Sequence, residues 1–151
     1  MKNLLRILVL STLTAYLLLS TSIMAAQLID RPAPACNLTA LNGAPAKSLQ
    51  ALKGEVLYVD FWASWCPPCI QSFPFLSGLQ QEYGERGLRV VGVNLDEKVA
   101  DAEKFLSDYP AGFTIVADLS KQCAKEFDVI AMPSSYLIDR EGIVRYIHRG
   151  F

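Results

Sequence analysis

The order of elements in this chain predicts an α/β fold, a mixed central sheet flanked by helices. Three observations predict it. Buried-type strands alternate with helical stripes, the run closes on a β-hairpin, and a C-x-x-C pair opens a helix where the first strand ends. Alternation argues a parallel sheet covered by helices, and the hairpin adds an antiparallel edge. At 151 residues the chain is long enough for one domain with a real core.

Residues 31–43, RPAPACNLTALNG, are Pro-punctuated and predict an extended lead-in with a turn at Asn42-Gly43. Residues 56–62, VLYVDFW, are almost wholly β-branched, aromatic or aliphatic, which suits a strand buried on both faces. Asp60 is the one residue there that does not belong. Cys69, Phe73, Leu76 and Tyr83 then fall at helical spacing. Residues 88–95, LRVVGVNL, form a second buried-type strand. Val99, Ala102, Leu106 and Tyr109 mark the inward stripe of a second helix, which Pro110 stops. Residues 113–117 are a short strand, and Leu119, Cys123 and Phe127 mark a third helix. Residues 134–138 and 143–148 are strands joined by Asp139-Arg140-Glu141-Gly142, with Gly where a positive φ is expected.

The first 26 residues read as a secretory signal. Lys2 and Arg6 precede an uncharged run over 7–26, and small residues at Met24-Ala25-Ala26 offer a cleavage site after Ala25 or Ala26. An uncleaved anchor is the alternative, because the run approaches the ~20 residues that span a bilayer. Six Ser and Thr interrupt it, which favours cleavage. Either way the domain, residues 27–151, is exported. Without Lys2 and Arg6 it carries twelve basic and fifteen acidic residues, interspersed, so no nucleic-acid surface is expected. Export also bears on the four cysteines, which an oxidising compartment either pairs or keeps reduced for a purpose.

The pair Cys66-Pro67-Pro68-Cys69 admits three readings: half a metal site, a structural staple, or a redox centre. Zinc needs four ligands, and the single histidine, His148, lies in a distant hairpin. Haem attachment needs His directly after the second cysteine, where Ile70 stands. A structural disulfide across so tiny a loop restricts the unfolded chain little. Redox chemistry is the reading left, and no metal or cofactor is expected. At a helix start, the Cys66 sulfur lies near unsatisfied N–H groups that stabilise thiolate. Pro67 and Pro68 fall in the first turn, where a missing N–H costs nothing, and stiffen the loop. Cys69, one turn in, points to the core and attacks once Cys66 carries a mixed disulfide. Pro74 removes an i−4 bond and predicts a kink. Asp60, desolvated in its strand, should have a raised pKa and is a candidate base for the Cys69 proton. Trp65, beside Cys66, offers an apolar platform for substrate. Cys36 and Cys123 remain, either as a structural disulfide or, for Cys123, as a free core residue on an apolar stripe.

VDFWASWCPPC, Pro74 and MPSSYLID starting at Met132 together resemble the thioredoxin superfamily. The export signal and the extra helix-strand unit over 99–117 are similar to the TlpA/ResA/DsbE-like bacterial thiol–disulfide oxidoreductases, often tied to cytochrome assembly. The resemblance spans residues 31–151. It implies a thioredoxin-like fold, periplasmic placement, protein thiol and disulfide substrates, and a membrane-bound thiol as electron donor. It also implies that Pro133 is the family's cis-proline and that the Met132 backbone pairs with an extended substrate segment. The direction it implies is reduction. A disulfide oxidase or isomerase is the rival within the chemistry, and a copper-delivery protein on the same scaffold is the rival outside it. Two positions depart from the pattern. Ser72 stands where many such relatives carry glutamate, while Asp60 matches the buried aspartate of thioredoxin itself. The fold normally closes with a helix after the hairpin, and here none is expected after Arg149-Gly150-Phe151.

Overall fold

The computed structural model describes residues 28–151. The signal or anchor expected over 1–26 lies outside them. The chain forms β1 (Val56–Trp62), α1 (Pro67–Tyr83), β2 (Leu88–Asn94), α2 (Val99–Asp108), β3 (Thr114–Ala117), α3 (Gln122–Glu126), β4 (Ser134–Ile138) and β5 (Val144–Arg149). Short 3-10 turns at Leu49–Leu52 and Gly84–Arg86 lead into β1 and β2. The strands make one five-stranded sheet in the order β3-β2-β1-β4-β5. β1, β2 and β3 are mutually parallel, β4 runs antiparallel to β1, and β5, antiparallel to β4, points the same way as β1 again. The mixed sheet is the expected one, and no helix follows β5 among the described residues.

Strand alternation divides β1 between two cores. Leu57, Val59 and Phe61 point to one face, where they meet Val91, Val93, Phe127, Tyr136 and the lead-in residues Cys36 and Leu38. Trp62 points to the other, packing its ring 4.9 Å from Phe73 of α1 and 5.0 Å from Phe105 of α2. The sheet thus has α1 and α2 on one side, with α3 and the lead-in on the other. By the same alternation Asp60 belongs to the α1 side.

Two helices depart from the expected stripes. In α2 the buried residues are Ala102 and Phe105, while Leu106 is only partly covered and Tyr109 lies just past the helix end, exposed. Phe105 takes the inward place because its ring completes the aromatic cluster of Trp62, Phe73 and Phe113. In α3 the helix is a turn and a half, and Leu119 precedes it, half exposed. Asp118 explains the late start. Its carboxylate accepts from the Ala124 N–H at 2.9 Å and the Ser120 hydroxyl at 3.0 Å, holding residues 118–121 in a turn.

The lead-in is a strap across the sheet. At the β5 edge, Asp30 N–H donates to Val144 O and Val144 N–H to Arg31 O, and Arg145 pairs with Asp30 at 2.7 Å. At the β3 edge, Thr39 and Ala117 exchange both backbone bonds, at 3.1 and 2.7 Å. Between these ends a disulfide joins Cys36 to Cys123 of α3. Both sheet edges are thereby partly paired, which blunts edge-to-edge association.

Candidate redox site

The site forms where β1 ends and α1 begins. Cys66 is the residue capping α1, with Pro67 and Pro68 at its first two helical positions and Cys69 one turn in. The structure holds Cys66 and Cys69 as a disulfide, with the Cys69 N–H donating to Cys66 O at 3.0 Å. Cys69 is fully buried among Trp62, Phe73 and Phe105. α1 continues through Pro74 to Tyr83.

The loop between β1 and α1 is fixed by a residue that sequence reasoning missed. Asp96, just past β2, is 2% exposed, yet its carboxylate is fully used. It accepts from Ser64 N–H at 3.0 and 3.2 Å, from Ser64 Oγ at 2.9 Å and from Asn94 Nδ2 at 2.7 Å. This clamp ties the end of β2 to the segment that presents Trp65 and Cys66. No spacing rule connects residues 64 and 96. Only the parallel register of β1 and β2 brings them together.

Asp60 is 1% exposed, on the sheet face that α1 covers with Cys69, Ser72, Phe73 and Leu76. Burial pushes its pKa from the ordinary 3.8 up to about 7, and the Ser135 hydroxyl, donating to Oδ1 at 2.6 Å, opposes that rise. Oδ2 has no hydrogen-bond partner. Tyr58, two residues earlier on the same face, is also raised, chiefly by burial. Ser72 is buried in α1 and donates its hydroxyl to Cys69 O at 2.9 Å, so it is occupied by its own helix.

A groove of about 380 Å³ opens beside Cys66, between Trp65, Pro67 and Pro68 on one bank and Val129, Ile130, Ala131 and Met132 on the other. Trp65 and Ile130 stand 66% and 74% exposed at its rim. The second bank is the loop from α3 to β4, held by Tyr136 Oη donating to Phe127 O at 2.6 Å and Ser134 Oγ donating to Ala131 O at 2.7 Å. The Met132-Pro133 peptide is cis. The structure therefore brings Cys66, Cys69, Trp65, Pro67, Pro68 and Met132 to one place and sets Asp60 beneath α1. The Cys36–Cys123 disulfide belongs to the other core, with the strap.

A cysteine pair capping the first helix of a β3-β2-β1-β4-β5 sheet, with a cis Met-Pro peptide in the facing loop, defines a thioredoxin-fold protein of the redox type. The chain belongs to the Redoxin family, whose model matches residues 29–151, within the TlpA/ResA/DsbE-like part of the thioredoxin superfamily. It is similar to the thiol-disulfide oxidoreductase ResA of Bacillus thuringiensis subsp. konkukian, at 31% identity over 116 residues, 77% of this chain and 66% of that one. The thioredoxin-like protein YneN of Bacillus subtilis is 35% identical over 78% of this chain and 69% of its own. Among solved structures, one described as a thiol:disulfide interchange protein DsbE from Chlorobium tepidum shares 46% identity at a TM-score of 0.75, covering 80% of this chain and 84% of that one.

Proposed function

We propose that this chain is an exported, periplasmic thiol–disulfide oxidoreductase that reduces protein disulfides through Cys66 and Cys69. The observation that carries the reading is the pair itself, set at a helix start and bordered by an apolar groove. The Cys66 thiolate attacks a substrate disulfide, forming a mixed disulfide and releasing one substrate thiolate. Cys69 then gives its proton to Asp60 and attacks Cys66 Sγ. The Cys66–Cys69 bond forms, the mixed disulfide breaks, and the second substrate sulfur leaves as thiolate. Two electrons have passed to the substrate. A membrane-bound thiol donor returns the enzyme to its dithiol form.

Asp60 suits its step because a carboxylate with pKa about 7 accepts a proton and releases it again near neutral pH. Met132 and Trp65 border the groove in which an extended substrate segment lies, with Pro133 setting the loop's course. The resemblance to ResA and DsbE makes cysteines of cytochrome assembly the leading substrate class. Cys36–Cys123 is the structural bond. The deciding measurement is the equilibrium reduction potential of Cys66–Cys69 against glutathione. A reductant should fall near thioredoxin's ~−270 mV, whereas a value near ~−180 or ~−120 mV, as for isomerases and oxidases, refutes the reductive direction.

A further inference from the structure

Asp60 sits mid-sheet between two register partners, Gly92 of β2 and Ser135 of β4. Gly92 offers no side chain. A Cβ there would meet Ile115 Cδ1 and Phe113 Cε2 at 2.9 Å and the Trp62 indole nitrogen at 3.2 Å, so that flank is closed to any longer partner. The other flank holds Ser135, 6% exposed, with its hydroxyl 2.6 Å from Asp60 Oδ1. We propose that Ser135 is the positioning residue of the resolving step: its hydrogen bond fixes the carboxylate through Oδ1 and leaves the buried, unpartnered Oδ2 as the atom that takes the Cys69 proton.

The inference rests on Asp60 being the base for Cys69. A carboxylate free to rotate between two oxygens presents either to the thiol, and a protonated one can turn its own hydrogen inward. Ser135 suppresses both, because a hydroxyl donating to Oδ1 is satisfied by the charged form and holds one rotamer. The same bond favours the carboxylate over the acid and so counteracts burial. Other titratable groups face this place from each element packed on it. Tyr58 lies on β1 itself, the cysteine pair on α1, and Tyr146 and His148 on β5, with His148 in register with Ser135. None of these makes a hydrogen bond to Asp60; Ser135 does.

The test follows resolution alone. In the reduced full-length protein, Cys66 is loaded with thionitrobenzoate, and attack by Cys69 releases the chromophore in a stopped-flow cell from about pH 5.5 to 9, the range of a raised carboxylate and a thiol. The acid limb of the wild-type rate should lie near the Asp60 value of about 7. Ser135→Ala should move that limb up by about one pH unit, the size of a lost hydrogen bond to a charged group, and slow release about fivefold at neutral pH. Ser135→Thr should restore it. In an Asp60→Asn background, adding Ser135→Ala should change nothing, which a merely structural role would not produce. An Asp60-dependent limb that ignores Ser135→Ala, or an equal Ser135→Ala defect without Asp60, overturns the inference alone. A limb that survives Asp60→Asn overturns the base assignment and the inference together. Absence of release from the wild type overturns the oxidoreductase reading with both.

Discussion

Asp60→Asn should make the oxidised protein more stable in alkali while leaving it no better off in acid. The side chain is 1% exposed and its pKa rises from 3.8 to about 7 on folding. The folded state therefore holds the proton that the unfolded chain gives up across that window. The stability this contributes is fully present below about pH 4, declines as pH rises, and is gone above about 7. A rise of about three pH units at about 1.4 kcal/mol each sets a ceiling of about 4 kcal/mol on the loss. Asparagine carries no such loss, but its amide inherits the unpartnered position at Oδ2, which costs about 1–3 kcal/mol at any pH. The net for Asp60→Asn is then a gain of about 1–3 kcal/mol at pH 8 and a deficit of about 1–3 kcal/mol at pH 4. Urea unfolding of both proteins at the two pH values measures it. The disulfides stay intact, so cysteine titration does not enter. The difference between the two proteins should change by about 3–4 kcal/mol from acid to alkali. Parallel stability curves would show that Asp60 titrates normally in the folded state and remove the basis for its role as a base.

Cys66→Ser should abolish disulfide exchange and Cys69→Ser should accumulate a substrate-linked mixed disulfide, seen as a stable intermolecular adduct on non-reducing gels; normal turnover by Cys69→Ser refutes the two-cysteine scheme. Replacing Cys36 and Cys123 together by alanine should lower stability by up to about 4–5 kcal/mol, because their bond closes a separation of 87 residues. Two free thiols in the unfolded, fully oxidised wild type would contradict it. Phe105→Ala should cost about 3–5 kcal/mol and Leu106→Ala far less, since Phe105 fills the cluster with Trp62 and Phe73. Equal losses in chemical unfolding would restore the helix stripe that the spacing suggested.

The fold was legible where one local pattern dominated. VLYVDFW reads as a strand because a continuous apolar run has few other ways to be buried, and Pro67 and Pro68 mark a helix start through φ and a missing N–H. The α2 stripe misled because Phe105 and Leu106 both fit helical spacing with Ala102, and the choice between them is made by aromatic rings on two other elements. Ser135, Gly92 and the Asp96 clamp were invisible for a related reason. A serine in a strand or an aspartate in a turn carries no signature, and its partner is fixed by a register that closes only in three dimensions. The oddity of Asp60 was visible as a charge in an apolar run, while the group that restrains it was not.

The strap bears on how the molecule comes into being. Its partners are β5, α3 and β3, reached across sequence separations of 115 for Asp30 and Arg145 and 87 for the two cysteines. Contacts so distant along the chain form only after large loops have closed, which slows folding relative to locally paired domains. Synthesis delivers the strap before any surface exists to receive it. β1 is likewise unpaired along one edge until β4 arrives to complete the centre of the sheet. The buried residues of the α1-side core all lie within 62–105, whereas the strap-side core also needs Tyr136, Ile138 and Val144 and cannot close until β4 and β5 exist. The strap, made before β1, waits for strands at the far end of the sequence, and its core is the later of the two to become complete in a growing chain.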